Sequence, residues 1–212
     1  LLEAQNKVVD SFFRYIEHKR EPKERFYMPR RKQFLKIGLV DALQGMIDDK
    51  YDILCISLIP GAGKTTIEKF FNAAVIGWYP KDFNLFYSHS GDITRMYYDG
   101  MYDIVTNADE YAWNEIFPDL QVTSTNAKVE QFYVGKYKPF PSVQCTSVGS
   151  KNAGKVRASK FLLVDDMIGG IEEALNPMIL EKLWSKYSVD ARQRKIQDTD
   201  GKNCKEIIIS LA

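Results

Sequence analysis

The spacing of apolar residues divides this chain into helical stretches and short strands. Apolar residues recur with the helical period in five stretches, at 2–19, 32–47, 65–78, 93–105 and 177–195. Mostly apolar runs of strand length lie at 52–59, 84–88 and 161–164. Such a run is typical of a strand buried on both faces, so we expect residues 52–59 to form a central strand. Because strands and helices alternate, we predict an α/β fold with a mainly parallel, twisted sheet flanked by helices.

Less regular patterns fill the rest of the chain. We predict a short aromatic-rich helix at 107–117, paired strands at 129–134 and 142–148, and a last strand at 206–211. The loop at 135–141, between the paired strands, interleaves lysines with aromatic residues. This composition suits contact with a nucleic-acid strand, and it equally suits an ordinary hairpin tip. Because the sequence stops on a strand, we expect it to be one domain of a longer protein.

Composition narrows the class of protein without naming it. The 212 residues are 45% hydrophobic and 27% charged, which is ordinary globular composition, and the net charge of +1 gives no global signature of nucleic-acid binding. Three widely spaced cysteines and two histidines argue against a structural zinc site and a disulfide framework. No apolar run approaches the ~20 residues of a membrane span, so we expect no membrane association.

A glycine-containing loop joins the first strand to the helix at 65–78. Gly61 and Gly63 let successive backbone N–H groups point inward, and the helix adds the positive end of its dipole. Lys64 is then placed to reach the β- and γ-phosphates of a nucleotide, and the Thr65 hydroxyl to ligate Mg²⁺. The phosphate-loop pattern asks for glycine where this chain has Leu58. A tight turn with an exposed Lys64 is therefore the alternative.

Two adjacent carboxylates end the third apolar run. Asp165 would hold Mg²⁺ through water beside Thr65, and Asp166 would orient or deprotonate the attacking water. A strand capped by solvated acids is the alternative interpretation. Glu172 and Glu173 follow closely enough in the sequence to compete with Asp166 for the catalytic role.

Two more polar residues are candidates because of their positions. His89 follows the strand at 84–88, at the end where open α/β sheets keep their functional groups. A hydrogen-bonding turn residue is favoured there over a general base, because the sequence gives His89 no partner. Gln33 lies some thirty residues before Lys64 and is suited to hydrogen-bond an adenine edge. An ordinary solvated glutamine is the alternative.

Taken in order, these motifs resemble the ATPase domain of the viral terminase large subunit, the motor that packages DNA into tailed-phage capsids. Matching segments are the adenine-proximal glutamine segment at 29–33, the deviant phosphate loop at 60–66, the aromatic segment at 111–118 and the basic loop at 149–157. The phosphate-loop residues are Pro60, Gly61, Ala62, Gly63, Lys64, Thr65 and Thr66. In this family the loop tolerates loss of its first glycine. The last strand lies where the family has its coupling motif, which links hydrolysis to movement.

The resemblance implies a P-loop NTPase core of the RecA/ASCE-like type over residues 51–212, preceded by a helical segment over residues 1–50 that carries Gln33. It implies ATP and Mg²⁺ as cofactors, with the nucleotide on Gln33 and the phosphate loop and the metal at Thr65 and Asp165. The implied catalytic residues are Lys64, Asp165, Asp166 and Arg157. Arg157 and Lys155 are the candidates for a charge supplied to a neighbouring subunit as an arginine finger.

The resemblance also implies partners and a location. These are double-stranded DNA, the portal protein, the small terminase subunit and further copies of the chain in a ring, in the host cytoplasm at the assembling procapsid. The chain departs from the family in two respects. Many members have Asp-Glu where this chain has Asp165-Asp166, and the family's nuclease domain is absent from these residues, so no nuclease activity is expected.

Two other functions fit the same motifs. One is a superfamily-2 helicase-like, DNA-dependent ATPase, which needs a second RecA-like lobe downstream. The other is a nucleotide-binding assembly module that does not hydrolyse ATP, for which the Asp-Asp pair and the missing first glycine leave room.

Overall fold

A seven-stranded sheet is the centre of the structure. The computed structural model describes residues 1–150 and 156–211, without the side chains of residues 210 and 211. Its strands are β1 (Ile53–Leu58), β2 (Asn84–Ser88), β3 (Val122–Asn126), β4 (Gln131–Val134), β5 (Val143–Ser147), β6 (Phe161–Asp165) and β7 (Lys205–Leu211). The α-helices of the described residues are α1 (Leu2–Gln5), α2 (Val9–Ile16), α3 (Tyr27–Lys36), α4 (Leu39–Ile47), α5 (Lys64–Trp78), α6 (Gly91–Thr106), α7 (Trp113–Ile116), α8 (Ile171–Ala174) and α9 (Pro177–Lys186).

The order of strands across the sheet is β1-β7-β6-β2-β5-β4-β3. The first five strands in this order are parallel, whereas β4 and β3 run antiparallel at one edge. The predicted α/β class with a mainly parallel sheet is therefore confirmed. β7, the last strand in the sequence, lies between β1 and β6. Because parallel strands end at the same edge of a sheet, β1, β2 and β6 deliver the residues that follow them to one edge.

β1 is an edge strand, and the prediction of a central strand buried on both faces is wrong. Ile53 keeps 46% of its surface exposed, and Cys55 and Ser57 on the same face are also exposed. Ile56, on the other face, is buried against the helices. A continuous apolar run does not reveal strand order, and here the order leaves one face of β1 uncovered.

Several predicted helices are interrupted. The stretch at 2–19 forms α1 and α2, with a break at Lys7, whose φ is 65°. The stretch at 32–47 forms parts of α3 and α4, separated by Gly38 with a φ of 74°. The stretch at 177–195 is α-helical only to the end of α9, and then continues as a π-helical turn, Tyr187–Ala191, and a short 3₁₀ turn. The polar strand β3 is not predicted, since its residues are mostly exposed.

The N-terminal helices and α5 share one hydrophobic core. The ring of Phe13 on α2 lies 6.2 Å from that of Phe70 on α5, and Phe12 lies 5.6 Å from Trp78. Trp78 Nε1 donates a 2.8 Å hydrogen bond to the carbonyl oxygen of Ala4. These contacts fix α5, and with it the glycine-containing loop, against the first fifty residues. The division into segments 1–50 and 51–212 stays a prediction.

Short segments cover the opposite face of the sheet. Tyr187 and Ala191 of the π-helical turn pack on a small cluster from β2 and β6. The buried carboxylate of Glu206 on β7 accepts hydrogen bonds from the Tyr187 hydroxyl, from Arg192 Nε at 3.0 Å and from Lys195 Nζ at 2.5 Å. These bonds attach the segment after α9 to the middle of the sheet. Among the described residues, no helix is both long and apolar enough to cross a membrane.

Candidate nucleotide-binding site

The glycine-containing loop connects the end of β1 to the start of α5. Gly61 and Gly63 have φ values of 76° and 86°, in the left-handed region that favours glycine. A Cβ placed on Gly63 would lie 2.1 Å from the ring of Phe26, so this position also needs glycine for space. α5 begins at Lys64 and runs for 15 residues. Its first N–H groups lack partners within the helix, which suits an anion at this end.

Lys64 folds back over the loop. Its Nζ donates a 2.7 Å hydrogen bond to the carbonyl oxygen of Leu58, the residue that stands where the phosphate-loop pattern has glycine. The side chain of Lys64 is half-buried. A plain tight turn would leave it fully exposed. A backbone carbonyl is an acceptor that an anionic ligand can replace, so this contact keeps the ammonium group at the mouth of the loop.

Thr65 and Asp165 join the two halves of the site. The Thr65 hydroxyl donates a 2.8 Å hydrogen bond to Asp165 Oδ2 across the end of β7. Burial raises the pKa of Asp165, and the charge of Asp166 raises it further, whereas the Thr65 hydrogen bond and Lys64 oppose this shift. A hydroxyl and a carboxylate are hard oxygen donors of the kind that Mg²⁺ prefers. The donor set therefore fits a magnesium ion shared with a phosphate.

Asp166 has a strained backbone and an unexpected neighbour. Its φ is 50°, which is uncommon for a residue other than glycine. Its N–H donates to the carbonyl oxygen of Ile209 at 3.4 Å, and its own carbonyl oxygen lies 3.3 Å from the His89 backbone nitrogen and 2.5 Å from His89 Nδ1. His89 thus has a partner that the sequence did not reveal. Its role as a hydrogen-bonding turn residue, favoured above, agrees with this contact.

Glu68 is a buried acid that the sequence analysis missed. It lies on α5, three residues after Thr65, and keeps 3% of its surface exposed. Neither of its carboxyl oxygens has a hydrogen-bond partner among the described residues. Burial raises its pKa well above the usual value and the charge of Asp165 adds to this, against a smaller opposing effect of Lys69. The sequence signal that could have identified Glu68 as a site residue is its spacing of one helical turn from Thr65.

The other candidates lie around this centre in different ways. Gln33 is exposed on α3, and the residue of this region that contacts the loop is Phe26, whose ring packs on Gly63. The guanidinium group of Arg30 lies 4.5 Å from the centre of the Phe26 ring. Pro60 is exposed in the loop itself. The remaining residues of the predicted phosphate-binding set, Ala62 and Thr66, are half-buried at the start of α5 or just before it.

The alternative acids lie on α8, and Arg157 lies before the start of β6. Glu172 is exposed on α8, while Glu173 Oε2 accepts a 2.7 Å hydrogen bond from the backbone nitrogen of Gly169. Arg157 adjoins Ala158, which pairs with Lys195 near the start of β6, at the opposite end from Asp165. Arg157 is therefore not brought to Lys64 of its own chain. Lys151, Gly154 and Lys155 lie outside the described residues.

The basic and aromatic loop at 135–141 is held at the other edge of the sheet. Lys138 Nζ donates hydrogen bonds of 2.8 Å to the carbonyl oxygens of Pro80 and Asp82, and burial lowers its pKa to about 8. Phe140 packs on Phe83 with ring centres 5.1 Å apart. Tyr137 remains 95% exposed. The structure shows an anchored hairpin tip, and a nucleic-acid contact there stays a prediction.

Solved structures with a similar fold can be compared with this chain. The large terminase of bacteriophage HK97 superposes on 95% of this chain with a TM-score of 0.55 and 12% sequence identity. This chain has the fold of part of that phage protein. It spans 37% of the length of the HK97 protein. The resemblance noted in the sequence is thus confirmed at the level of the P-loop α/β fold.

The other solved structures are less similar to this chain. The ATPase domain of the large terminase of Thermus phage P74-26 aligns with 74% of this chain and 58% of its own length, at 13% identity and a TM-score of 0.44. A point mutant of that domain gives 14% identity and a TM-score of 0.45 over the same shares. No protein-family model matches the chain, and a search of curated proteins finds no match.

Proposed function

We propose that this chain hydrolyses ATP to drive double-stranded DNA into a viral procapsid, as the ATPase part of a terminase large subunit. The observation that carries the proposal is the Thr65–Asp165 hydrogen bond of 2.8 Å beside a loop with glycines in the left-handed region. A phosphate-binding loop and a buried acid meet here at the edge where α/β sheets bind ligands. The large-terminase fold supports the same proposal at a coarser level.

The residues divide the work between binding and positioning. The backbone N–H groups of 60–66 and the start of α5 bind the phosphates, and Lys64 leaves the Leu58 carbonyl to neutralise the β- and γ-phosphate charge. Thr65 and Asp165 would hold Mg²⁺, which neutralises charge on the phosphate oxygens when it is bound. Asp166 orients the attacking water and accepts its proton. The adenine base is bordered by Gln33, or by Phe26 and Arg30, which lie nearer the loop.

A complete packaging motor needs further protein subunits and DNA in addition to one copy of this chain. We propose a homo-oligomeric ring that acts with a portal protein, a small terminase subunit and duplex DNA in the host cytoplasm. Arg157 is remote from Lys64 of its own chain, which is compatible with a contribution to the site of a neighbouring subunit. Lys155 is the second candidate for this charge. Each of these assignments follows from the terminase resemblance and is open to the experiments below.

One specific feature favours a second function, a nucleotide-binding module that does not hydrolyse ATP. Asp166 is one methylene shorter than the glutamate that many family members carry, and its backbone is strained. If its carboxylate does not reach the water, the site binds ATP and assembles copies of the chain without turnover.

ATP turnover by the purified chain separates these functions. We expect wild type to hydrolyse ATP with Mg²⁺, and Lys64→Ala and Asp165→Ala each to abolish turnover while keeping the circular dichroism spectrum. Lys50→Ala is the matched control, because Lys50 is exposed and pairs only weakly with Asp48 at 3.5 Å. Measurements across protein concentrations and with linear duplex DNA test the ring and the DNA partner. Near-normal turnover in Lys64→Ala contradicts the proposal, and ATP binding without turnover at every concentration favours the second function.

A further inference from the structure

We propose that His89 is a positioning residue that holds Asp166 in the geometry required for its action on water. The inference rests on the function proposed above, and it adds a residue from a different strand to the site. His89 follows β2, and Asp166 follows β6, and these strands are neighbours in the sheet. The proposal starts from the contacts between the two residues.

His89 contacts the Asp166 peptide at two points. Its backbone nitrogen and its ring Nδ1 both lie near the carbonyl oxygen of Asp166, at 3.3 Å and 2.5 Å. A carbonyl oxygen only accepts hydrogen bonds, so Nδ1 carries the ring proton and donates it. The backbone N–H of His89 donates a longer and weaker hydrogen bond to the same oxygen. Together these donors hold one oxygen from the side of β2.

The other side of Asp166 is held by β7. The Asp166 N–H donates to the carbonyl oxygen of Ile209 at 3.4 Å. The peptide groups on both sides of the Asp166 Cα are therefore fixed by two neighbouring strands. This explains how a non-glycine residue keeps a φ of 50°, since a left-handed backbone is unfavourable for a residue with a side chain and needs surrounding contacts to hold it.

This backbone determines where the carboxylate points. Asp166 Oδ2 lies 3.9 Å from His89 Nδ1, beyond hydrogen-bond distance, so the ring holds the main chain and leaves the carboxylate available. The Asp166 side chain is 32% exposed and thus open to a ligand. An aspartate has one fewer rotatable bond than a glutamate. Backbone position therefore matters more for Asp166 than it would for the longer acid.

Two substitutions separate the hydrogen bond from the shape of the ring. His89→Leu removes the donor, whereas His89→Asn keeps an amide N–H at about the position of Nδ1. We expect His89→Leu to lower kcat for ATP at least about tenfold, because small misplacement of a reacting group is costly, while KM and the affinity for a fluorescent ATP analogue change less than about twofold. His89→Asn is expected to retain at least about half of the wild-type kcat. A purely structural histidine would not give this split.

The chain offers a matched control, since it has only two histidines. His18 stacks on Tyr15 and lies 3.4 Å from Glu115 at the end of α2, so His18→Asn should leave kcat within about twofold of wild type. A kcat of His89→Leu within twofold of wild type overturns the proposal. So does a loss in His89→Asn as large as that in His89→Leu.

Crystal structures of the two variants test the positioning role without reference to turnover. Asp166 should keep a positive φ in His89→Asn and leave it in His89→Leu. If the φ of Asp166 is unchanged in His89→Leu, the inference is wrong even where ATP is hydrolysed. If wild type hydrolyses no ATP but the φ values behave as expected, the proposed function fails while the role of His89 in holding Asp166 stands.

Discussion

The Thr65 hydroxyl donates a 2.8 Å hydrogen bond to Asp165 Oδ2, although the two residues are 100 positions apart in the chain. One belongs to the helix after β1 and the other to the end of β6, and β7 separates these strands. The loop after β1 and the start of α5 bring Thr65 past the end of β7 to Asp165. This contact therefore depends on the arrangement of β1, α5, β7 and β6.

Replacing Thr65 tests this bridge directly. In Thr65→Val, Asp165 loses a hydrogen bond while buried, and we expect the free energy of unfolding to fall by about 1–3 kcal/mol. Thr65→Ser keeps the hydroxyl and should lose less than half as much. Urea unfolding of the metal-free protein measures both values. A loss in Thr65→Val no larger than that in Thr65→Ser would show that the hydroxyl contributes no more to stability than the methyl group does.

Glu68 predicts an unusual dependence of stability on pH. Its folded-state pKa lies well above the usual 4.5, so the folded chain keeps a proton that the unfolded chain releases. Stability from this group is full below pH 4.5 and falls as the pH rises above that value. Glu68→Gln removes this loss, so the variant should gain stability relative to wild type between pH 5 and pH 8. Urea unfolding in the absence of metal measures the difference at each pH.

Glu181→Gln is the control for this experiment. Glu181 is exposed on α9, so the same chemical change there should alter the free energy of unfolding by less than about 0.5 kcal/mol. A flat difference for Glu68→Gln as well would show that Glu68 is ionised in the folded protein.

The contact between Gly63 and Phe26 predicts a difference between the two loop glycines. Gly61→Ala and Gly63→Ala both force alanine into the left-handed region, at about 1–2 kcal/mol each. No atom of the described residues lies within 4 Å of a Cβ on Gly61, whereas a Cβ on Gly63 overlaps the Phe26 ring. Gly63→Ala should therefore destabilise the protein by at least about 1 kcal/mol more. Adding Phe26→Leu should recover part of that excess, and equal costs at the two glycines would contradict the packing.

Glu206 predicts the opposite pH dependence to Glu68. Hydrogen bonds from Lys195, Tyr187 and Arg192 outweigh the effect of burial and lower its pKa below 4.5. The stability it contributes is therefore present above pH 4.5 and is lost as the pH falls. Glu206→Gln should cost about 3–5 kcal/mol at pH 7, because two cations lose a buried partner, and the cost should shrink below pH 4.5.

An exposed ion pair provides the comparison for Glu206. Arg95 Nε lies 2.9 Å from Asp99 Oδ2, and both side chains are about half exposed. Asp99→Asn should cost less than about 1 kcal/mol at pH 7, because solvent screens exposed pairs. Thermal or urea unfolding at pH 7 and pH 3 checks both variants. A loss for Glu206→Gln no greater than that for Asp99→Asn would show that burial does not strengthen the network.

The sequence predicts those structural features that depend only on residues close together in the chain. β2 has the predicted bounds, since Leu85, Phe86 and Tyr87 form a short apolar stretch between turn residues. β6 is predicted for the same reason, together with Asp165 at its end. The loop glycines are recognisable because a left-handed backbone favours one residue type. Local pattern and local backbone geometry are therefore enough to find both halves of the site.

The order of strands is what the sequence does not predict. β1 has the same apolar pattern as β6, yet it lies at an edge with Cys55 exposed. His89 has a partner only because β2 lies beside β6, and that adjacency is a property of the whole sheet. Glu68 is a similar case, because a charged residue on an amphipathic helix is usually solvated. Only the packing of α5 on the sheet buries it.

The place of β7 has a consequence for synthesis on the ribosome. Chains emerge with their N-terminal parts first, so β1 and β6 are both available before residues 205–211. Until those residues insert, the strand that leads to Thr65 and the strand that ends in Asp165 lack the partner that lies between them. The proposed nucleotide site is therefore expected to form in one late step of synthesis, when β7 inserts between β1 and β6.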